Sequence, residues 1–124
     1  AVRETKEETG VELADVGVHL GRIETVRTES PLLPRMSITP HVFGVPADTP
    51  AQAASSEVDA VHWVPLDVLH QPAVRGTVEI PLPDGPQGFL CLRVVDDVVW
   101  GLTYRILDHF LARASEVFPL PHRE

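Results

Sequence analysis

Leu102, Ile106, Leu107, Phe110, Leu111 and Ala114 fall on one stripe at helical spacing within residues 101–114. A helix with a single apolar face has to cover something, and the segments ahead of it read as strands. Residues 89–95 form an apolar strand pattern. Residues 16–28 alternate loosely through Val18, Leu20, Ile23 and Val26 and predict a long strand, with Gly21 at a bulge. Residues 37–45 predict a second strand with Pro40 near its start or on an edge, and residues 58–64, ending at Trp63 and Val64, a third. Helices laid on a sheet give an α/β architecture.

The connections follow from proline and glycine. Residues 30–34 make a Pro-bounded turn, 47–56 a small, polar surface loop, and 65–70 one helical turn with Pro65 in its first turn. The four prolines of 71–87 predict a long loop, with a short strand at 77–80. Residues 96–100 link the last strand to the last helix, and the tail from Phe118, with its two prolines, is expected to fray. At 124 residues the chain suits one domain, expected over 1–115 with 116–124 as a tail.

Charge limits the partners. Ten basic residues against 18 acidic ones give −8, and aromatics make up 6%. Neither a basic nucleic-acid footprint nor a membrane-surface patch can be built from that balance. A polyanionic substrate remains compatible if divalent cations sit between it and the protein. Cys91 is the single cysteine, so no internal disulfide forms and a reducing compartment is expected. No apolar run approaches the ~20 residues of a membrane span, nothing at the start reads as a signal peptide, and a cytoplasmic location is expected.

Residues 1–9 are polar and rich in helix formers, with Gly10 as a stop signal. No Ser, Thr, Asp or Asn stands ahead of this helix as a cap, so further upstream residues of the domain are expected before Ala1. On this helix Glu4, Glu7 and Glu8 stand at i, i+3 and i+4 and share a face. Three clustered carboxylates repel one another, yet they are the hard oxygen ligands that Mg²⁺ or Mn²⁺ takes. Arg3, at i, i+4 from Glu7, is placed to brace a carboxylate. By charge pattern alone the same residues also describe a solvated helix face.

The stretch Arg3-Glu4-Thr5-Lys6-Glu7-Glu8-Thr9-Gly10-Val11 resembles the C-terminal half of the Nudix box, with Thr5 in place of the usual aliphatic residue. The upstream Gly and Glu of that box would precede Ala1. Residues 57–69 and 37–46 resemble family segments that follow the box. Trp100-Gly101-Leu102-Thr103 resembles the opening of the last helix in the coenzyme A pyrophosphatase branch.

The resemblance implies an α/β/α sandwich with a mixed β-sheet, the Glu-bearing helix on one side and the 101–114 helix on the other. It implies a metal-dependent hydrolase of a nucleoside diphosphate linked to another group. Coenzyme A is the leading substrate, giving 3′,5′-ADP and 4′-phosphopantetheine; nucleoside triphosphates, ADP-sugars or a non-catalytic binding module are the alternatives. Glu4, Glu7 and Glu8 would hold Mg²⁺ or Mn²⁺, and Arg3, Glu4 and Glu7 would serve catalysis, with Glu4 either a third ligand or the base that orients water. The partner is then a small-molecule nucleotide, with a homodimer left open.

Outside the helix, Arg27 and Arg35 flank the 30–34 turn and are candidates for a substrate phosphate, against a solvated surface role. Glu57 and Asp59 are the acidic residues most easily placed near a metal from elsewhere, although Glu57 is better read as bracing a strand start. His19, His41, His62, His70, His109 and His122 show no ligand-like spacing and are expected in structural or surface roles. Cys91 reads as a buried inert thiol. Trp63 is expected in the core, with contact to a base or pantetheine arm as the alternative, and Trp100 as an anchor at the start of the last helix.

Overall fold

The computed structural model describes residues 1–28 and 34–117. The expected turn at 30–34, apart from Pro34, and the tail from Phe118 lie outside the described residues. The chain divides into two compact units, one of Ala1–Ile23 with Thr39–Trp63 and one of Glu24–Ile38 with Val64–Glu124.

In the first unit, α1 (Val2–Thr9) ends where the sequence stops it. Gly10 takes the left-handed conformation at φ 73° and donates its N–H to the Lys6 carbonyl, a conformation that glycine adopts without steric cost. One further helical turn, α2 (Leu13–Val16), buries Leu13. Strand β1 (Val18–Arg22) pairs antiparallel with β4 (His41–Gly44). The register slips between His19 and Gly21, so the expected bulge is present, with Gly21 at φ 146°.

The second unit contains β2 (Val26–Arg27) paired with β3 (Ser37–Ile38), the single turn α3 (Leu66–Leu69), a 3-10 turn (Pro72–Val74), β5 (Arg75–Leu82), β6 (Gly85–Val94), β7 (Asp97–Trp100) and α4 (Gly101–Val117). Strands β5, β6 and β7 form one antiparallel sheet in that order. Leu92, fully buried on β6, meets Leu69, Tyr104 and Leu111, and Leu107 and Phe110 pack against this cluster. The predicted stripe is therefore the buried face of α4, with Leu102 and Ile106 half-buried. Tyr104 joins it because its hydroxyl has a polar partner, accepting from Arg75 Nη1 at 3.3 Å.

The α/β class stands, but several expectations at the level of elements need correction. In place of one mixed sheet, the described strands form three separate antiparallel sheets. The expected strand over 16–28 is α2, β1 and β2, and the one over 37–45 is β3 and β4, divided at Thr39–Pro40. Residues 58–64 form no strand. Residues 71–87, expected as a loop with a short strand at 77–80, contain β5, which takes in that strand and extends it at both ends, and the start of β6. Here Pro81 faces Pro86 across the ladder, next to the Leu82–Gly85 pair that closes the Pro83-Asp84 turn. Alternate antiparallel pairs exchange no hydrogen bonds, so two prolines at such a pair remove nothing from the ladder. Arg93 braces this hairpin, donating from Nη2 to the Thr77 carbonyl at 2.9 Å. A Cβ on Gly76 would come within 2.8 Å of Arg93 Nη1.

Residues 96–100, expected as a link, carry β7. The two-residue turn before it has Val95 at φ 51° and Asp96 at φ 63°, the backbone of a type I′ hairpin turn that favours Asn-Gly. A β-branched residue there costs about 1–2 kcal/mol, and Val95 is half exposed, so little packing offsets the strain. Val95→Asn is expected to raise stability by about 1 kcal/mol and Tm by roughly 3–8 °C; a calorimetric melt that shows no rise would refute the strain.

The Glu24 carboxylate lies ahead of β2 and accepts from Arg113 of α4 through Nε at 2.7 Å and through Nη2. Its own main-chain N–H, then Arg113, hold its carboxyl below the usual value, and Glu24 in turn raises Arg113. A carboxylate lowered by folding adds stability at neutral pH that is lost on acidification, from the ordinary glutamate range down through the lowered value. Glu24→Gln should therefore flatten the fall of Tm with acid across that window. An acid limb as steep as the parent's would show that other carboxylates carry it.

Candidate active site

Helix α1 presents Glu4, Glu7 and Glu8 as exposed carboxylates, with none of its residues buried. Arg3 stands between two of them, with Nη2 3.1 Å from Glu4 Oε1 and Nε 3.9 Å from Glu7 Oε1. Lys6 reaches out of the helix to Glu12 at 2.9 Å, and this partner raises its pKa.

The last turn of α1 is fixed from outside. Main-chain carbonyls at a helix C-terminus lack partners within the helix. Here the 47–56 loop supplies them, with Ala54 N–H donating to the Glu8 carbonyl and Gln52 N–H to the Thr9 carbonyl, both at 3.0 Å. Thr9 Oγ1 donates to the Thr5 carbonyl at 2.7 Å and accepts from the Val11 N–H at 3.3 Å. The backbone that carries Glu7 and Glu8 is therefore held while their side chains stay in solvent.

Among the described residues no three His, Cys, Asp or Glu side chains are arranged to hold a metal ion. The donor set nevertheless suits a hard divalent cation. Mg²⁺ commonly takes one or two carboxylates and completes its shell with water and substrate phosphates. Glu7 has only the long contact to Arg3, and Glu8 has no ion pair among the described residues.

The same unit contains a cavity of about 350 Å³, between Thr5 and Thr9 of α1, His41 and Phe43 of β4, and His62 and Trp63. Trp63 is 62% exposed, which corrects its expected place in the core. Without a strand at 58–64, no sheet draws the indole inward, and its face is left along this cavity. The periodicity of 58–64 concealed that; the signal available was an indole in a segment punctuated by Ser55, Ser56 and Pro65.

Arg27 and Arg35 are exposed in the second unit, on β2 and ahead of β3. The Arg27 carbonyl accepts from Arg105 Nη1 at 2.8 Å. Glu57 is exposed in a turn, its N–H donating to Ser55 Oγ at 3.2 Å, and it braces no strand. Cys91 is fully buried on β6, and Trp100 closes β7 with its ring 5.3 Å from that of Phe89. His19 and His41, unrelated by sequence spacing, are brought into contact across β1 and β4, with 3.0 Å between Nε2 and Nδ1.

No helix among the described residues is long and apolar enough to cross a membrane. No curated protein and no solved structure matches the chain. The family model of the NUDIX domain matches residues 1–81, which include α1, its pinned C-terminal turn and the cavity. The helices and small sheets are consistent with that family's α/β/α fold, and with the match spanning well over half of its length the chain belongs to the Nudix family of divalent-metal-dependent pyrophosphohydrolases.

Proposed function

We propose that the chain hydrolyses the diphosphate of coenzyme A or a coenzyme A derivative, with Mg²⁺ or Mn²⁺ held at Glu7 and Glu8. The observation that carries the metal site is the pairing of exposed carboxylates with a pinned backbone in the last turn of α1. A bound divalent ion would neutralise diphosphate oxygens and acidify a water. Arg3 reaches both Glu4 and Glu7 and orients their carboxylates. Glu4 serves as a third ligand or as the group that orients water. The cavity beside α1, with the Trp63 indole on it, suits a flat base or a thin pantetheine arm better than a second charged group.

The choice of coenzyme A rests on Trp100-Gly101-Leu102-Thr103 at the start of α4, where the resemblance to that branch lies. By residue type alone, Arg27 and Arg35 are the candidates for the 3′-phosphate, since a guanidinium suits a phosphate.

Glu7→Gln and Glu8→Gln should each lower kcat/KM by about a hundredfold, about 2.7 kcal/mol, and shift activity to higher Mg²⁺ or Mn²⁺ concentration. Parental rates at limiting metal in both variants would make the helix a solvated face only. In a substrate panel, coenzyme A and its thioesters should rank above ADP-ribose, dinucleoside polyphosphates and nucleoside triphosphates. Dephospho-coenzyme A should lose about tenfold in kcat/KM if one charged contact of ~1.5 kcal/mol goes with the 3′-phosphate. A preference for nucleoside triphosphates would reject the coenzyme A reading and leave the carboxylate site standing.

A further inference from the structure

The last turn of α1 is built from residues that disfavour a helix end. Glu7 and Glu8 stand where unpaired carbonyls make a helix negative, and Glu4 stands one turn before Glu8. Lys6, the basic residue of that turn, is drawn off to Glu12. Thr9 is β-branched, and its hydroxyl donates back to the Thr5 carbonyl at 2.7 Å, a bond that weakens or bends helices. No residue of α1 is buried, so packing does not offset this. What holds the turn comes from outside: Ala54 N–H on the Glu8 carbonyl and Gln52 N–H on the Thr9 carbonyl, both at 3.0 Å.

The dependence runs both ways. The 47–56 loop has a turn of its own at each end, with Thr49 N–H donating to the Pro46 carbonyl and Val58 N–H to the Ser55 carbonyl. Between those turns, the main chain of 50–54 makes its hydrogen bonds among the described residues to α1. Ala51 of this stretch lines the cavity together with Thr9, so whatever steadies the loop steadies that wall. A divalent cation on the carboxylates relieves their mutual repulsion and puts positive charge at the negative end of the helix. It thereby favours the helical form of the last turn over a frayed one, and the helical form is the one that offers its carbonyls to the loop.

We infer that, with the cation at Glu7 and Glu8 as proposed above, the 47–56 loop is the positioning element of the metal site: cation binding and docking of the loop on α1 strengthen each other. Linkage makes the effect reciprocal. The factor by which the docked loop raises metal affinity is the factor by which the metal tightens the loop.

The test measures both directions. Mn²⁺ binding is followed by the paramagnetic resonance of the free ion. Ala54→lactic acid replaces the N–H by an ester oxygen and keeps the side chain; it should weaken Mn²⁺ binding about tenfold. Ala53→lactic acid, at an N–H without a main-chain partner among the described residues, should bind like the parent. Unchanged circular dichroism shows that both esters are folded. In the parent, saturating Mg²⁺ should slow hydrogen exchange of the Gln52 and Ala54 amides by about tenfold, and Glu8→Gln should abolish that slowing. Parental Mn²⁺ affinity in the Ala54 ester, an equal loss in the Ala53 ester, or exchange that Mg²⁺ leaves unchanged overturns the coupling and leaves the carboxylate site standing. A parent that binds no Mn²⁺ rejects the metal reading and the coupling with it.

Discussion

Burial of Leu92 is the constraint on which the second unit depends. Leu92 sits in the middle strand of the three-stranded sheet, fully removed from solvent, and the apolar face of α4 closes over it through Leu111 and Tyr104. A buried leucine of this kind is worth about 2–5 kcal/mol against alanine, a large share of the stability of a small domain. The rest of the unit serves that contact. The prolines of the β5–β6 hairpin stand where the ladder tolerates them, and Arg75 ties the Tyr104 hydroxyl and Asp108 of α4 to the first residue of β5.

The first unit is organised by main-chain groups more than by packing. Val11 and Leu13 are its buried apolar residues among those described, and α1 buries none. What holds α1 is its end: Gly10 turns the chain, and two N–H groups of the 47–56 loop take the last carbonyls. Carboxylates facing solvent cannot position themselves by burial. Fixing the backbone beneath them is the alternative, and it leaves the side chains in solvent.

What could be read in the sequence followed local rules. Gly10 ends α1, Gly21 marks the slip in β1, Pro65 opens α3, and the α4 stripe is the buried face, because each depends on one residue's backbone freedom or on a 3.6-residue period. The β5–β6 hairpin was hidden because proline counts as a breaker until its register is known; the alternation of Thr77 and Glu79 with Val78, Ile80 and Leu82 was the better signal. The β6–β7 turn was hidden because Val95 stands where Asn or Gly is normal. Residues 58–64 have strand-like alternation but no neighbouring strand to pair with. The carboxylates of α1 were legible from spacing and resemblance; the cavity with Trp63 and the His19–His41 contact were not, because both arise from cross-chain register that no linear spacing encodes.

The facing prolines of the hairpin have a consequence for association. Strand β5 is an edge of its sheet, and an edge strand offers its outward N–H and C=O groups to any extended chain that comes near. At Pro81 the outward position carries no N–H, and Arg75, Thr77 and Glu79 occupy the exposed positions before it. An incoming strand would lose its ladder at the proline and meet charge of both signs along the way. The residue type that makes this stretch look like a loop thus leaves an incoming strand, at this edge of the described sheet, without a donor where its ladder would run on.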